Sequence, residues 1–129
     1  MSDLVIGFVG LGNIGAPMAR NMAVKHAGGI VAFDLDDRAF AALDGTLARR
    51  ADSVAELAAQ ADIVFLSLPG SAQVEAVCLG VDGLASAAAR RVHTVVDLST
   101  TTVASARHVG AALAEAGIAI AGAPVARTV

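Results

Sequence analysis

Leu4-Val5-Ile6-Gly7-Phe8-Val9-Gly10-Leu11-Gly12-Asn13-Ile14-Gly15 is the segment from which the fold of this chain can be predicted. Its first half is an apolar run rich in β-branched residues, which predicts a buried strand over residues 4–9. Glycines in the spacing G-x-G-x-x-G follow at once. Residues 13–26 then have the pattern of a helix, which Gly28 and Gly29 end. A strand, a glycine turn and a helix are therefore expected in direct succession.

Short apolar runs and helical patterns continue to alternate after this unit. A capping box, in which Ser53 and Glu56 satisfy free amides, predicts the start of one further helix. The other predicted helices cover residues 37–43, 72–79 and 103–116, and the predicted strands cover residues 30–34, 46–49 (a brief edge strand), 63–68, 94–98 and 118–121. Continuous apolar strands separated by helices are typical of a parallel sheet covered on both faces. We therefore predict an α/β fold of the Rossmann type, a doubly wound parallel sheet in a single domain.

The glycine turn has the features of a phosphate-binding loop. Gly10 permits a tight turn, Gly12 lets a diphosphate approach the backbone, and Gly15 allows the helix to pack closely on the strand. The free amides and the positive end of the helix then face the phosphates. The predicted cofactor-binding residues of this loop are Gly10, Leu11, Gly12, Asn13, Ile14 and Gly15. The alternative is a glycine-rich turn without a ligand, in an otherwise ordinary α/β domain.

Asp34 ends the second predicted strand, nineteen positions after Gly15. A carboxylate there accepts hydrogen bonds from the ribose hydroxyls of a dinucleotide and repels a 2′-phosphate, so the predicted cofactor is NAD rather than NADP. The alternative is a strand-end aspartate that caps the backbone that follows, a role for which Asp36 and Asp37 compete. Arg38 lies near enough to complicate the choice between the two cofactors.

Composition argues against several other classes. A formal charge of −3 and a pI of about 5.4 do not favour nucleic acid, and the pairs Arg49-Arg50 and Arg90-Arg91 read as solvated loop ends. The single cysteine, Cys78, reads as a packing residue, and the three histidines are too dispersed to indicate a metal site. Neither a secretory leader nor a run long enough to span a membrane is predicted, so a cytoplasmic location is expected.

Four segments, in order, resemble the β-hydroxyacid dehydrogenase family, which includes 3-hydroxyisobutyrate dehydrogenase and is related to 6-phosphogluconate dehydrogenase. Residues 6–21 are similar to its N-terminal signature, with Ile14 where methionine is usual. The other three segments are Leu68-Pro69 with the valines and glycine that follow it, Asp97-Leu98-Ser99-Thr100, and Gly122-Ala123-Pro124-Val125 in place of Asp-Ala-Pro-Val. The resemblance implies that Leu68, Pro69 and Thr100 lie beside the cofactor and that Ser99 lies near the substrate.

The chain departs from this family pattern after residue 125. Typical members continue Ser-Gly-Gly, whereas this chain has Ala126-Arg127-Thr128. A branch with Arg-Thr at this turn includes sulfolactaldehyde reductases, in which the arginine helps to hold the sulfonate. The resemblance therefore implies that Arg127 and Thr128 bind substrate, and a guanidinium suits a carboxylate, sulfonate or phosphate. We expect a small acidic substrate, with an exposed arginine of no special role as the alternative.

The resemblance also implies a catalytic lysine in an all-α second domain, which takes the alcohol proton while the cofactor takes the hydride. The only lysine of this chain, Lys25, ends the first predicted helix, so no catalytic residue is predicted among these residues. We expect residues 1–129 to be an incomplete NAD-binding domain, truncated before that second domain and catalytically incompetent alone, from a homo-oligomeric parent. An imine reductase of the same fold and a non-catalytic NAD-binding module are the alternatives.

Overall fold

The computed structural model describes residues 4–123. Its centre is a sheet of six parallel strands in the order β3-β2-β1-β4-β5-β6. The strands are β1 (Ile6–Val9), β2 (Ile30–Phe33), β3 (Arg49–Arg50), β4 (Ile63–Leu66), β5 (Thr94–Asp97) and β6 (Ala119–Gly122). The helices are α1 (Gly15–Lys25), α2 (Val54–Gln60), α3 (Ser71–Leu79) and α4 (Val103–Glu115), with a 3₁₀ helix at Asp37–Leu43. The predicted doubly wound parallel sheet is thus confirmed.

Two apolar cores flank the sheet, because neighbouring residues of a strand point to opposite faces. Phe8 packs with α1 and the 3₁₀ helix on one face, and Val9 packs with the other helices on the opposite face. Phe8 also stacks on Phe65, its partner in the register of β1 and β4, with the ring centroids 6.2 Å apart. These buried central strands hold the glycine loop on a rigid support.

The edge strand begins later than the sequence pattern predicts. Thr46 donates its amide and its hydroxyl to the Leu43 carbonyl, at 3.1 and 2.6 Å, and so closes a turn after the 3₁₀ helix. Pairing with β2 therefore starts only at Arg49 and Arg50, opposite Val31 and Ala32. The prediction that residues 46–49 form this strand was wrong in position, because hydroxyl and amide bonds to a nearby carbonyl compete with strand pairing.

The two arginine pairs are not simple solvated loop ends. Arg49 and Arg50 form β3, and the Arg50 guanidinium pairs with Asp37 and lies 4.1 Å from the centre of the Phe40 ring. Arg91 pairs with Asp62, and Arg90 donates to the carbonyls of Ala85 and Ala116. Each pair therefore has structural partners that the sequence does not reveal.

None of the helices between residues 4 and 123 has the length and apolar character needed to cross a membrane.

Candidate cofactor-binding cleft

A cleft of about 490 Å³ opens at the carboxyl ends of β1, β2 and β4. In the order of the strands, β1 lies between β2 and β4, so chain connections leave β1 and β4 in opposite directions. Ligands of open parallel sheets bind at such a switch point. The cleft is lined by Val9, Gly10, Gly12, Asn13, Ile14, Gly15, Phe33, Asp34, Leu35, Ser67, Leu68, Pro69, Gln73, Ala76 and Val77. Most of the predicted cofactor-binding residues therefore share one cleft.

Gly10 and Gly15 let the loop fold tightly against the end of β4. Gly10 has φ +103°, and a Cβ on it would lie 2.0 Å from the Ser67 carbonyl oxygen. A Cβ on Gly15 would lie 2.1 Å from the carbonyl oxygen of Gly10. Any larger residue would push the start of α1 away from the strands, in agreement with the tight turn predicted at Gly10 and the close packing predicted at Gly15.

Gly12 faces open space, since a Cβ built on it would meet no atom within 4 Å. Within residues 4–123 the amides of Gly12, Asn13 and Ile14 donate to no protein acceptor, and no side chain caps the start of α1. The loop therefore presents free N–H donors at the positive end of a helix, beside a space in which the backbone is accessible. This arrangement fits the diphosphate of a dinucleotide.

Asp34 joins the end of β2 to the glycine loop. Its Oδ2 accepts from the Leu11 amide at 2.7 Å, and its Oδ1 accepts from the Asp36 amide at 2.8 Å. The carboxylate lines the cleft and also a second, more open cavity of about 680 Å³, and Gly12 and Asn13 of the loop line both. Asp34 thus caps the backbone that follows, as the alternative interpretation held, and at the same time faces the space predicted for the ribose.

The acids that compete with Asp34 have other partners. Asp36 caps the start of the 3₁₀ helix, where its carboxylate accepts from the Arg38 amide at 3.0 Å. Asp37 pairs with Arg50. Of the three carboxylates, Asp34 is the one that lines the cleft beside the glycine loop.

The Leu68-Pro69 segment forms the opposite wall of the cleft and is held there by Ser99. The Ser99 hydroxyl accepts from the Leu68 amide at 2.8 Å, and the Ser99 amide donates to Asp97 Oδ1 at 2.9 Å. Asp97 and Ser99 are both buried. Ser99 therefore has a supporting role toward the cofactor cleft that the sequence did not reveal, and its predicted role toward substrate stays a prediction.

Not all of the predicted site residues line this cleft. Thr100 is exposed and follows β5, at the same edge of the sheet as the cleft, but it is not among the residues that line the cleft. Arg127 and Thr128, together with Pro124 and Val125 of the fourth family-like segment, lie outside the described residues. Their predicted contacts with substrate and cofactor therefore stay predictions.

Besides Val77, which belongs to the family-like segment after Leu68-Pro69, the wall of the cleft includes residues that the sequence interpretation did not single out. Gln73, Ala76 and Val77 line the cleft from one face of α3, and Phe33 and Leu35 line it from the end of β2. The spacing i, i+3, i+4 on a helix that follows the Leu-Pro segment is a signal from which the α3 residues could have been found. A wall of this character suits the flat apolar faces of an adenine.

The remaining reactive side chains lie elsewhere. Cys78 is fully buried on α3, and burial raises the pKa of its thiol to about 12, so it is held as an inert packing residue. Lys25 ends α1, ten residues after Gly15, and is therefore roughly 15 Å from the loop at 1.5 Å per residue. No three His, Cys, Asp or Glu residues between positions 4 and 123 are grouped so that they could hold a metal ion.

Comparison with known proteins gives a consistent result. The sequence profile of the NAD-binding domain of 6-phosphogluconate dehydrogenase matches residues 5–129. The chain is 38% identical over 120 residues to the 3-hydroxyisobutyrate dehydrogenase of Pseudomonas aeruginosa. The matched residues make up 93% of this chain and 40% of that enzyme. The chain therefore spans less than half the length of the curated relatives that it matches.

Solved structures extend the comparison. A 3-hydroxyisobutyrate dehydrogenase of Mycobacterium tuberculosis, solved with L-serine, superimposes with a TM-score of 0.80 at 33% identity, over 96% of this chain and 41% of that one. An imine reductase from a Pseudomonas species superimposes with a TM-score of 0.78 at 16% identity, over 94% of this chain and 41% of that one. The second likeness shows a shared fold alone.

Proposed function

The chain belongs to the family of NAD-binding domains found in 6-phosphogluconate dehydrogenase, and on that premise we propose that it is the cofactor-binding part of an NAD-dependent oxidoreductase acting on a small 3-hydroxy acid. One observation carries the proposal: the free amides of the glycine loop and the Asp34 carboxylate border the same cleft and are joined by the bond from Leu11 to Asp34. The homology to 3-hydroxyisobutyrate dehydrogenases supports the substrate class.

The diphosphate, the adenosine ribose and the adenine of the dinucleotide would each meet a matching group in the cleft. The amides of Gly12, Asn13 and Ile14 would hold the diphosphate, and Asp34 would accept hydrogen bonds from the ribose. Leu68 and Val77 belong to the apolar wall that would cover the adenine and exclude water from it. When bound, NAD supplies the acceptor for a hydride from the alcohol carbon.

The rest of the reaction depends on groups beyond this cleft. We propose that Ser99, Arg127 and Thr128 contact an acidic substrate, that Thr100 lies toward the nicotinamide, and that a lysine of a helix-rich second domain accepts the alcohol proton, as the family resemblance implies. An imine reductase is less favoured, because those structures share only the fold with this chain. A cytoplasmic location and a homo-oligomeric parent protein belong to the same proposal.

Gly12→Ala tests the proposal directly. The added methyl meets no protein atom, so the fold should be unaffected, but it projects into the space proposed for the diphosphate. We expect NADH affinity, measured by isothermal titration calorimetry, to fall about tenfold or more, as loss of one charge-assisted hydrogen bond predicts.

Gly110→Ala is the matched control, because it adds a methyl within α4 at an ordinary 3.6 Å from the Ile120 side chain. Its NADH affinity should equal that of the unaltered protein. Equal affinities for all three proteins, or the absence of NADH binding by the unaltered protein, would refute the proposed function.

A further inference from the structure

Charged residues are concentrated just beyond β2, where the chain leaves the proposed ribose site. Asp34, Asp36, Asp37 and Arg38 lie within five positions of one another, and Arg50 approaches them from β3. Three carboxylates and two guanidiniums give this cluster a formal charge of −1. What the cluster can bind depends on which charges are already neutralised within the protein.

Both guanidiniums of the cluster have a carboxylate partner. Arg38 donates from Nε to Asp36 Oδ1 and from Nη2 to Asp36 Oδ2, each at 3.2 Å, so that both oxygens hold one guanidinium. These bonds to Arg38 also keep the pKa of Asp36 below its ordinary value. Arg50 pairs with Asp37 and lies over the Phe40 ring. Asp34 is left as the carboxylate without a cationic partner among these residues.

The pair formed by Asp36 and Arg38 borders the same cavity as Asp34. Asp34, Asp36 and Arg38 line the second cavity together with Gly12 and Asn13 of the glycine loop. Arg38 is the one cationic side chain among the residues that line this cavity, which would border a ribose bound by Asp34. A 2′-phosphate, with between one and two negative charges, would need such a cation to offset the repulsion from Asp34.

We propose that Asp36 is a second determinant of cofactor choice, a positioning residue that holds the Arg38 guanidinium and so withholds it from the 2′-phosphate of NADP. The inference rests on the proposed function, since it assumes a dinucleotide on the glycine loop. Asp34 repels the 2′-phosphate directly, and Asp36 removes the neighbouring group that could bind it. Cofactor preference is then encoded by two acids rather than one.

The pair has little importance for the fold. The Arg38 side chain is 91% exposed and that of Asp36 is 51% exposed, and exposed ion pairs contribute little to stability. Asparagine at position 36 removes the charge but keeps an oxygen that can cap the 3₁₀ helix at the Arg38 amide. Asp36→Asn should therefore fold normally, and its effect on binding can be measured.

The experiment compares NADH and NADPH affinities by calorimetry for four proteins: the unaltered protein, Asp36→Asn, Asp36→Asn with Arg38→Gln, and Asp44→Asn. We expect Asp36→Asn to bind NADPH roughly two- to fivefold more tightly, because the gain is limited to the small free energy of the exposed pair that this change removes, while NADH affinity is unchanged. The double variant should lose this gain. Asp44→Asn should change neither affinity. Asp44 is an acid that directly follows the same 3₁₀ helix but does not line the cavity.

An unchanged NADPH affinity in Asp36→Asn would overturn the inference, and so would a gain that persists without Arg38 or that Asp44→Asn reproduces. In all these cases NADH binding by the unaltered protein would leave the proposed function standing. If the unaltered protein binds neither cofactor, the proposed function and this inference fail together.

Discussion

Asp34 shows how one side chain can serve the fold and the proposed site together. Its two oxygens accept from the amides of Leu11 and Asp36, which fixes the carboxylate against the loop that it would assist. A carboxylate has additional lone pairs beyond these two bonds, so ribose hydroxyls can still donate to it. The backbone bonds orient the group before any ligand arrives, which lowers the entropic cost of binding.

Among the three loop glycines, we expect Gly12 to affect cofactor binding and Gly15 to affect stability. Gly15→Ala adds a methyl 2.1 Å from the Gly10 carbonyl oxygen, so the start of α1 must shift. We expect a loss of about 1–3 kcal/mol in the free energy of unfolding, as for other overpacked sites, measured by urea denaturation.

Gly110→Ala serves again as the control, since alanine normally stabilises a helix interior relative to glycine. Equal urea midpoints for Gly15→Ala and Gly110→Ala would show that the tight approach at Gly15 has no energetic consequence.

Among the elements, α2 illustrates a sequence signal that was confirmed with one difference. Ser53 caps the helix by accepting from the Glu56 amide at 3.0 Å, as the capping box predicts. The Glu56 carboxylate, however, accepts from the amide of Asp52 rather than that of Ser53. The reciprocal bond thus reaches one residue further back.

Removal of this cap should weaken an element that the core needs. Leu57 of α2 lies so close to β1 that a Cβ on Gly7 would be 2.8 Å from its Cδ2. We expect Ser53→Ala to lower the free energy of unfolding by about 1 kcal/mol, measured by urea denaturation.

Ser53→Asp restores a strong capping oxygen and should unfold close to the unaltered protein. If Ser53→Ala and Ser53→Asp lowered the free energy of unfolding equally, loss of the capping oxygen would not explain the effect of Ser53→Ala.

Across the whole molecule, Asp62 joins three strands at the edge opposite the cleft. Its Oδ2 accepts from the Val5 amide at 2.8 Å, and its Oδ1 accepts from Arg91 Nε at 2.7 Å. Its carbonyl accepts from the His93 amide, next to the start of β5. The Val5 amide, followed by Arg91, lowers the pKa of the Asp62 carboxyl from its ordinary value of 3.8.

This shift predicts how stability varies with pH. Because the pKa is lower in the folded chain than in the unfolded chain, the contribution of Asp62 is complete above the unfolded value and is lost as pH falls through the folded value. The unaltered protein should therefore be more stable than Asp62→Asn at pH 7, and the difference should shrink below about pH 4.

Urea denaturation of both proteins between neutral and acid pH checks this prediction. Asp44→Asn, at an exposed position with φ −57°, serves as the control for loss of a carboxylate. A difference between the unaltered protein and Asp62→Asn that stays constant down to acid pH would contradict the assignment.

Local signals in the chain were sufficient for the order of strands and helices and for the position of the glycine loop, whereas the choice of Asp34 as ribose ligand stays a prediction. Apolar runs, helical spacing, a capping serine and glycine spacing each act over a few residues, so they are visible in one sequence. The sequence pattern placed β3 too early, because the turn that Thr46 forms with Leu43 competes with pairing to β2.

Contacts between distant segments depended on the assembled sheet. Leu11 and Asp34 are 23 positions apart, Leu68 and Ser99 are 31 apart, and Val5 and Asp62 are 57 apart. No local pattern encodes these pairs, because they form only when parallel strands from separate parts of the chain bring their ends to one edge. The pairing of Arg38 with Asp36 is local, yet its position beside the glycine loop also required the fold.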